Sequence, residues 1–589
     1  MKGAGSASPT QLWGRLLAYL KPHWRAEAIG LSALVVANGL GAYLPLLIRN
    51  GVDALETAGH WPTLLGQVAA IIGLASLMWV IRMVSRVTLF GVGRQVEFDL
   101  KQGIYEHLLT LEPAYFATTA PGELISRATS DVDNVRRLVG FSVLSLANTI
   151  LAYGFTLPFM LAIDPLLTLL ALGVYPLMLA VVQTFGNQLR VQQLQVQEAL
   201  ADLSDLVQED ASGVSLIKIY AQEANEQRAF AALNQTLLQA NLTLARTRSL
   251  LFPLLGGVAS ISFLLLLWLG SAAIERQALT IGDLVAMLIY VERLVFPTAL
   301  LGFTITALQR GEVSLNRVEA LITESPGIQD SPTAQAPPLA QIRGHLEARH
   351  LTYTYPGHGR PALVDVSFQI QPGEMVAVVG AIGSGKSTLG NALVRLIDIG
   401  PGQLFLDGHD LTQIPLATLR EAIILVPQES FLFSTTLADN IRYGEPDAPQ
   451  TAVETAGRRA ALHQEVLNFP QQYETLVGER GITLSGGQRQ RAALARAFLP
   501  QAPVLVLDDA LASVDNQTAQ GILDHLRRPA GGQTLLLITH RLTAAALADW
   551  VLVLDQGRVV QRGSHEALIQ VPGVYANLWQ QYQQEQRFT

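Results

Sequence analysis

Eight consecutive residues, Gly380-Ala-Ile-Gly-Ser-Gly-Lys-Ser387, carry the densest chemical pattern in the chain. The apolar run Met375–Val379 leads into them and a helical stretch from Thr388 to Leu396 follows. Glycines at this spacing let backbone N–H groups converge on phosphate oxygens at a helix N-terminus. Lys386 is then placed to reach the terminal phosphates, and Ser387 to ligate Mg²⁺. A second apolar run, Val504–Leu507, ends in Asp508 and Asp509. A strand that delivers a carboxylate beside such a loop is the usual second holder of the metal. Taken singly, the first segment could be a glycine-rich turn with a solvated lysine, and the second a pair of helix-capping carboxylates. Together they point to binding and hydrolysis of a nucleoside triphosphate.

These segments need a scaffold. Short Val/Leu/Ile runs at 375–379, 423–426, 504–507 and 534–538 alternate with helical stretches. That alternation predicts an α/β domain over 343–589, built on a mainly parallel sheet. Ahead of it, Thr323 to Pro338 holds four prolines, Pro326, Pro332, Pro337 and Pro338, and reads as part of a linker over 321–342.

Residues 1–320 are of another kind. Charged residues make up 15% of the 589-residue chain, and its mean hydropathy is +0.30. A typical soluble protein has about 25% charged residues, so disorder is excluded and a wholly soluble chain is disfavoured. Uncharged stretches run over 28–48, 57–81, 138–163, 165–189 and 249–274, and a sixth apolar stretch over 284–308 includes Glu292 and Arg293. Each is long enough to cross a hydrocarbon core of about 30 Å as helix. Asp164-Pro165 predicts a tight turn between the third and fourth. The polar segments between spans two and three and between spans four and five are rich in Lys and Arg, against only Arg49 and Arg276 on the opposite side. Both termini and the α/β domain are therefore expected in the cytoplasm, on an inner (plasma) membrane crossed several times. Met1–Ser8 is small and polar, so no cleavable signal peptide is expected. A net charge of −8 gives no support to nucleic acid as a partner, and the absence of cysteine excludes thiol catalysis and disulfides.

Leu484-Ser-Gly-Gly-Gln488 resembles the signature of the ATP-binding cassette (ABC) transporters, which few other proteins pair with an upstream phosphate loop. Six spans ahead of one cassette look like the half-transporter form of the ABC exporters, such as bacterial lipid and multidrug exporters. Gly122-Glu-Leu-Ile-Ser-Arg127, Ser130-Asp-Val-Asp133 and Gly282-Asp283 fit the same pattern. The resemblance implies a six-helix, all-α membrane domain fused to a P-loop domain, with ATP and Mg²⁺ as ligands. It assigns nucleotide contacts to Gly380, Gly383, Ser384, Gly385, Lys386, Ser387 and Thr388. Tyr355 would stack on adenine, with Tyr353 the alternative. Ser387, Gln428 and Asp508 would face the metal, and Asp509, Gln428 and His540 would serve hydrolysis. Ser485, Gly486, Gly487 and Gln488 would complete the site of a second cassette. Asp515 would lie between cassettes, and Thr475–Gly481 would respond to the partner's helices.

One residue departs from the pattern. The family usually has Glu after the metal-binding Asp, as general base; here it is Asp509, shorter by one C–C bond, about 1.5 Å. An intact signature with a shortened base suggests one half of a heterodimer, in which this chain's own site is slow. The alternative is a homodimer with two slow sites. The cargo is expected to be small and amphipathic or hydrophobic, with membrane lipid as surroundings. A cassette-gated channel or regulator is a rival reading. Ionisable residues inside spans, Arg82, Arg86, Glu292 and Arg293, are candidates to face a cavity; salt bridges, or an exit of span two from the hydrocarbon by Arg86, are the alternative. No arginine-rich cavity pattern is evident from the sequence, which favours apolar over highly anionic cargo.

Overall fold

The computed structural model describes residues 9–56, 61–335, 337–526 and 532–588. The polar leader 1–8 and the first residues of the second apolar run, 57–60, lie outside the described residues. The chain forms two compact units, one of residues up to Leu109 with Ala120–Glu324, the other of Thr110–Thr119 with Ser325 onward.

Among the described residues of the first unit, six helices are long and apolar enough to cross a membrane: Gly14–Leu55, Leu64–Leu108, Pro121–Ile163, Pro165–Ser212, Glu223–Glu275 and Ile281–Ile322. At about 1.5 Å per residue, the 53-residue Glu223–Glu275 helix spans about 80 Å, far more than a hydrocarbon core. The polar segments that could not span a membrane therefore continue the spans as helix. Gly213 interrupts one such extension, between Tyr175–Ser212 and Val214–Tyr220. Asp164 makes the predicted turn, its carboxylate accepting from the backbone N–H of Leu167 at 2.9 Å. Lipid offers no hydrophobic force between helices, so packing and polar contacts hold the spans together. The Tyr175 hydroxyl donates to the Val291 carbonyl at 2.7 Å, Tyr290 to Ala42 at 2.8 Å, and Ser262 to Ala171 at 2.8 Å.

The described residues of the second unit form two sheets. A six-stranded sheet runs in the order β10-β9-β3-β8-β7-β6. It comprises β3 (Met375–Val379), β6 (Ile423–Val426), β7 (Val504–Asp508), β8 (Thr534–Ile538), β9 (Trp550–Asp555) and β10 (Arg558–Gly563). Pairings from β9 through β6 are parallel, and β10 closes the edge antiparallel. Both faces of this sheet are covered, which is why its strands read as unbroken apolar runs. Met375, Ala377 and Val379 enter one core, while Val376 and Val378 enter the other. The second sheet, order β2-β1-β4-β5, is antiparallel: β1 (Leu346–Tyr353), β2 (Leu363–Ile370), β4 (Leu404–Leu406) and β5 (His409–Asp410).

Two boundaries differ from the sequence reading. The last membrane helix continues to Ile322, beyond the apolar stretch 284–308 and past the domain boundary expected at 320. Residues 110–119, placed in the membrane half by the sequence, belong to the second unit. There the Glu112 carboxylate accepts from the Gly327 N–H at 2.9 Å. The proline-rich stretch is fastened down as well. Arg395 donates to the Gln329 carbonyl at 3.2 Å, the Asp330 carboxylate accepts from Leu416 N–H at 2.7 Å, and Gln335 N–H donates to Gln413 at 2.9 Å. Proline disfavours helix and strand without preventing docking through a carbonyl, a carboxylate or a neighbouring N–H.

Candidate functional site

The phosphate loop follows the buried strand β3 and ends at the helix Lys386–Leu393. Gly385 caps that helix at φ +97°, and a Cβ there would stand 2.5 Å from the Ala362 carbonyl oxygen, so only glycine fits. Lys386 is buried, and its ammonium donates to the carbonyls of Gly380 and Ala381, both at 2.9 Å. Burial pushes its pKa down, while the nearby Asp508 and Asp509 pull it up. A buried ammonium bonded only to its own loop is a cation ready to take a phosphate group.

A cavity of about 530 Å³ opens over this loop. Tyr355, Gly383, Ser384, Gly385, Lys386, Ser387, Thr388, Gln428, Asp508, Asp509 and His540 all border it. The sheet explains the convergence: β3, β6, β7 and β8 are parallel neighbours, so the loops leaving their C-terminal ends meet at one edge. Gly380 lies at the base of the loop, beside a smaller cavity that also touches His540. The Tyr355 hydroxyl is 3.2 Å from Thr388 Oγ1, while the Tyr353 ring packs edge-on against Tyr355 and does not border the cavity.

Asp508 ends β7 and is buried. Desolvation raises its pKa above the usual aspartate range, opposed by a hydrogen bond from Ser387 and by the charges of Lys386 and His540. Ser387 and Asp508 thus present a hydroxyl and a carboxylate in contact, a donor set suited to a hard divalent cation. Asp509 has its N–H bound to the Ile538 carbonyl at 2.8 Å and its backbone in the left-handed region, at φ +48°.

The signature residues sit elsewhere. Ser485 caps the helix Gly486–Phe498 in a reciprocal box with Gln488, at 3.3 and 3.0 Å, and Gln488 also donates to Glu465 at 2.9 Å. None of Ser485, Gly486, Gly487 or Gln488 borders the phosphate cavity. Asp515 caps the helix Asn516–Leu526, its carboxylate held below the usual range by the Thr518 backbone N–H at 2.9 Å. Two residues that the sequence did not single out hold the loop before Asp515. Gln490 accepts from Ser513 N–H at 2.7 Å, and Arg541 donates to the carbonyls of Ala512 and Val514 at 2.9 and 2.6 Å. Their positions, two residues after the signature and directly after His540, were the available signal. The stretch Thr475–Gly481 is anchored by backbone bonds from Leu437 to Thr475 and from Val477 to Thr435.

The first unit has its own cavity, of about 600 Å³. Arg82, Arg86, Glu292 and Arg293 all border it, with Asn38 and Asn148. The expectation of a cavity without an arginine pattern is thereby corrected. The three arginines sit on two spans remote in sequence, and only packing brings them to one wall.

The ABC transporter transmembrane region family matches residues 28–298, and the ABC transporter family matches residues 363–512. The chain is 33% identical over 578 residues to the multidrug resistance-like ATP-binding protein MdlA of Escherichia coli, covering 98% of this chain and 97% of that protein. It is 32% identical over 575 residues to the ATP-dependent lipid A-core flippase of Thiobacillus denitrificans, covering 97% and 99%. Among solved structures, a bacterial Atm1-family ABC exporter with ATP bound superposes with a TM-score of 0.78 at 25% identity, covering 95% of this chain and 99% of that one. The chain belongs to the ABC transporters and is an exporter that joins a six-helix membrane domain to an ATP-binding domain.

Proposed function

We propose that the protein exports, or moves between leaflets, amphipathic or hydrophobic molecules by ATP-driven alternating access, as one half of a dimer whose own hydrolytic site is slow. The observation that carries this reading is the convergence of Tyr355, the phosphate loop, Gln428, Asp508, Asp509 and His540 on one cavity that the signature residues do not reach. A signature held in a capped helix away from its own phosphate loop suits a site completed by a second cassette.

In this reading Lys386 and the loop N–H groups bind the phosphates, and Tyr355 offers its ring to the base. Ser387 and Asp508, with Gln428, would hold Mg²⁺, which when bound neutralises charge on the phosphates. Asp509 accepts the proton of the attacking water, and His540 contacts the terminal phosphate. Misplacing a reacting group by about 1 Å can cost on the order of 10²-fold, so the short side chain of Asp509 makes a slow base. Such a chain pairs well with a partner cassette that carries the longer carboxylate and uses Ser485–Gln488 of this one. A homodimer with two Asp509 sites is the second reading. Relatives such as those above are matched nearly end to end by this one chain, and they fit either form.

The test is hydrolysis and vesicle transport by the chain alone, with Asp509→Glu beside it. A slow basal rate, raised on the order of 10- to 10²-fold by Asp509→Glu, is expected. An unchanged rate, with no partner chain associating, would sink the asymmetric reading. Hydrolysis without cargo movement would sink the transport reading.

A further inference from the structure

The membrane cavity has an uneven electrical lining. Three guanidinium groups, Arg82, Arg86 and Arg293, face it with a single carboxylate, Glu292. Charges at such depth are costly unless they have partners. Among the described residues none of these four forms an ion pair. Elsewhere in the same unit the charges are matched, as in Arg49 with Asp283 at 2.9 Å and Arg137 with Asp133 at 2.8 Å.

The three arginines also differ from one another. Arg293 is built in: its Nη2 donates to the Asn38 carbonyl at 2.8 Å and to Asn38 Oδ1 at 3.3 Å. Asn38 in turn donates to Asn148 Oδ1 at 3.1 Å. Gly41 leaves the room for that guanidinium, which a Cβ would overlap. Arg82 has only the Met78 sulfur, at 3.6 Å, and Arg86 has no hydrogen bond among the described residues. Arg82 and Arg86 stand one helical turn apart, so both reach the same side of their span. The rest of the lining includes the rings of Phe90, Phe141 and Phe296.

We propose that this cavity receives an amphipath with an anionic head, a phosphate or carboxylate, which Arg82 and Arg86 bind while its apolar body lies against the phenylalanine wall. Guanidinium forks suit the paired oxygens of such groups better than they suit any neutral head. Glu292 leaves the lining with a net excess of two positive charges, and its carboxylate disfavours a second negative group nearby. The proposal rests on the exporter reading and names the class of cargo.

The full chain, nucleotide-free in phosphatidylcholine nanodiscs, is titrated with three amphipaths of equal chain length: dodecyl phosphate, dodecyl maltoside and dodecyltrimethylammonium. Dodecyl phosphate is expected to bind at least roughly tenfold tighter than the other two, as charge-assisted hydrogen bonds allow. The pair Arg82→Gln/Arg86→Gln removes that preference, and Arg82→Lys/Arg86→Lys retains part of it. Equal binding of the three, or preference for the cation, overturns the proposal on the unaltered chain, whether or not the variants fold. Inorganic phosphate is the fourth probe. Displacement of dodecyl phosphate by millimolar phosphate overturns the amphipath and points to a free anion; no displacement supports the amphipath. ATP-driven transport in vesicles is measured on the same preparation. Loss of preference with transport intact defeats this proposal alone, whereas absent transport defeats the reading beneath it.

Discussion

The two cavities, about 530 and 600 Å³, are close in size and opposite in construction. The phosphate cavity is bordered by loops that leave adjacent parallel strands at one edge of a sheet buried on both faces. Its polar groups are bonded to the loops that carry them, as Lys386 is to Gly380 and Ala381. The membrane cavity is bordered by side chains from helix faces, and two of its three arginines are uncommitted. The difference teaches where each kind of specificity resides. The loop 380–387, which presents backbone N–H groups, is the one part of the phosphate cavity that is contiguous in sequence; the rest comes from separate loops at the same sheet edge. The cargo proposed above would be gripped by side chains on separate spans, where a single substitution alters the lining without touching a backbone cradle.

The contrast can be broken first at Lys386. Lys386→Met removes the cation that the loop holds, and hydrolysis is expected to fall on the order of 10²–10³-fold, comparable to losing one preorganised donor. Amphipath binding in the membrane cavity should stay within twofold. Loss of amphipath binding by nucleotide-free Lys386→Met would show that the sites are not separable. Gly385→Ala comes next. It puts a Cβ against the Ala362 carbonyl at a positive φ, and should cost about 1–3 kcal/mol of cassette stability as well as nucleotide affinity. Thermal unfolding with and without ATP reads both; an unshifted midpoint would mean that the loop has a second conformation. The smallest effect is expected in the membrane. Ser262→Ala deletes the bond to the Ala171 carbonyl and should cost about 0.6 kcal/mol, because membrane helices find substitute partners easily. A loss above about 2 kcal/mol in a detergent unfolding titration would make span polar contacts as decisive as the loop glycine.

Legibility in the sequence follows the same division. Residues 380–387 could be read because glycine, lysine and serine stand in one run after a strand, and Asp508 because an apolar strand points it to the loop. The spans were readable because hydrocarbon demands length and little else. Arg82, Arg86 and Arg293 were visible as costly residues, but their common wall was not, since helix rotation is set by packing that one sequence does not spell out. The four-stranded sheet was not read: Leu404–Leu406 and His409–Asp410 are only three and two residues long, and register shifts interrupt the pairing of the two eight-residue strands β1 and β2. The docking of the proline-rich stretch was missed because it uses a backbone carbonyl, a backbone N–H and one ordinary carboxylate, whose partners lie 66 to 86 residues away and follow no local pattern.

The backbone at Asp509 has a consequence for the history of this position. A left-handed φ of +48° is tolerated by aspartate better than by longer side chains, whose entry there can cost up to roughly 1 kcal/mol. The shorter carboxylate is therefore the one this backbone welcomes. In the heterodimer proposed above, substitution toward aspartate runs downhill in stability while the partner's site carries hydrolysis, and the return to glutamate runs uphill. Under that proposal the position would behave as a ratchet, and a slow site once acquired would tend to stay.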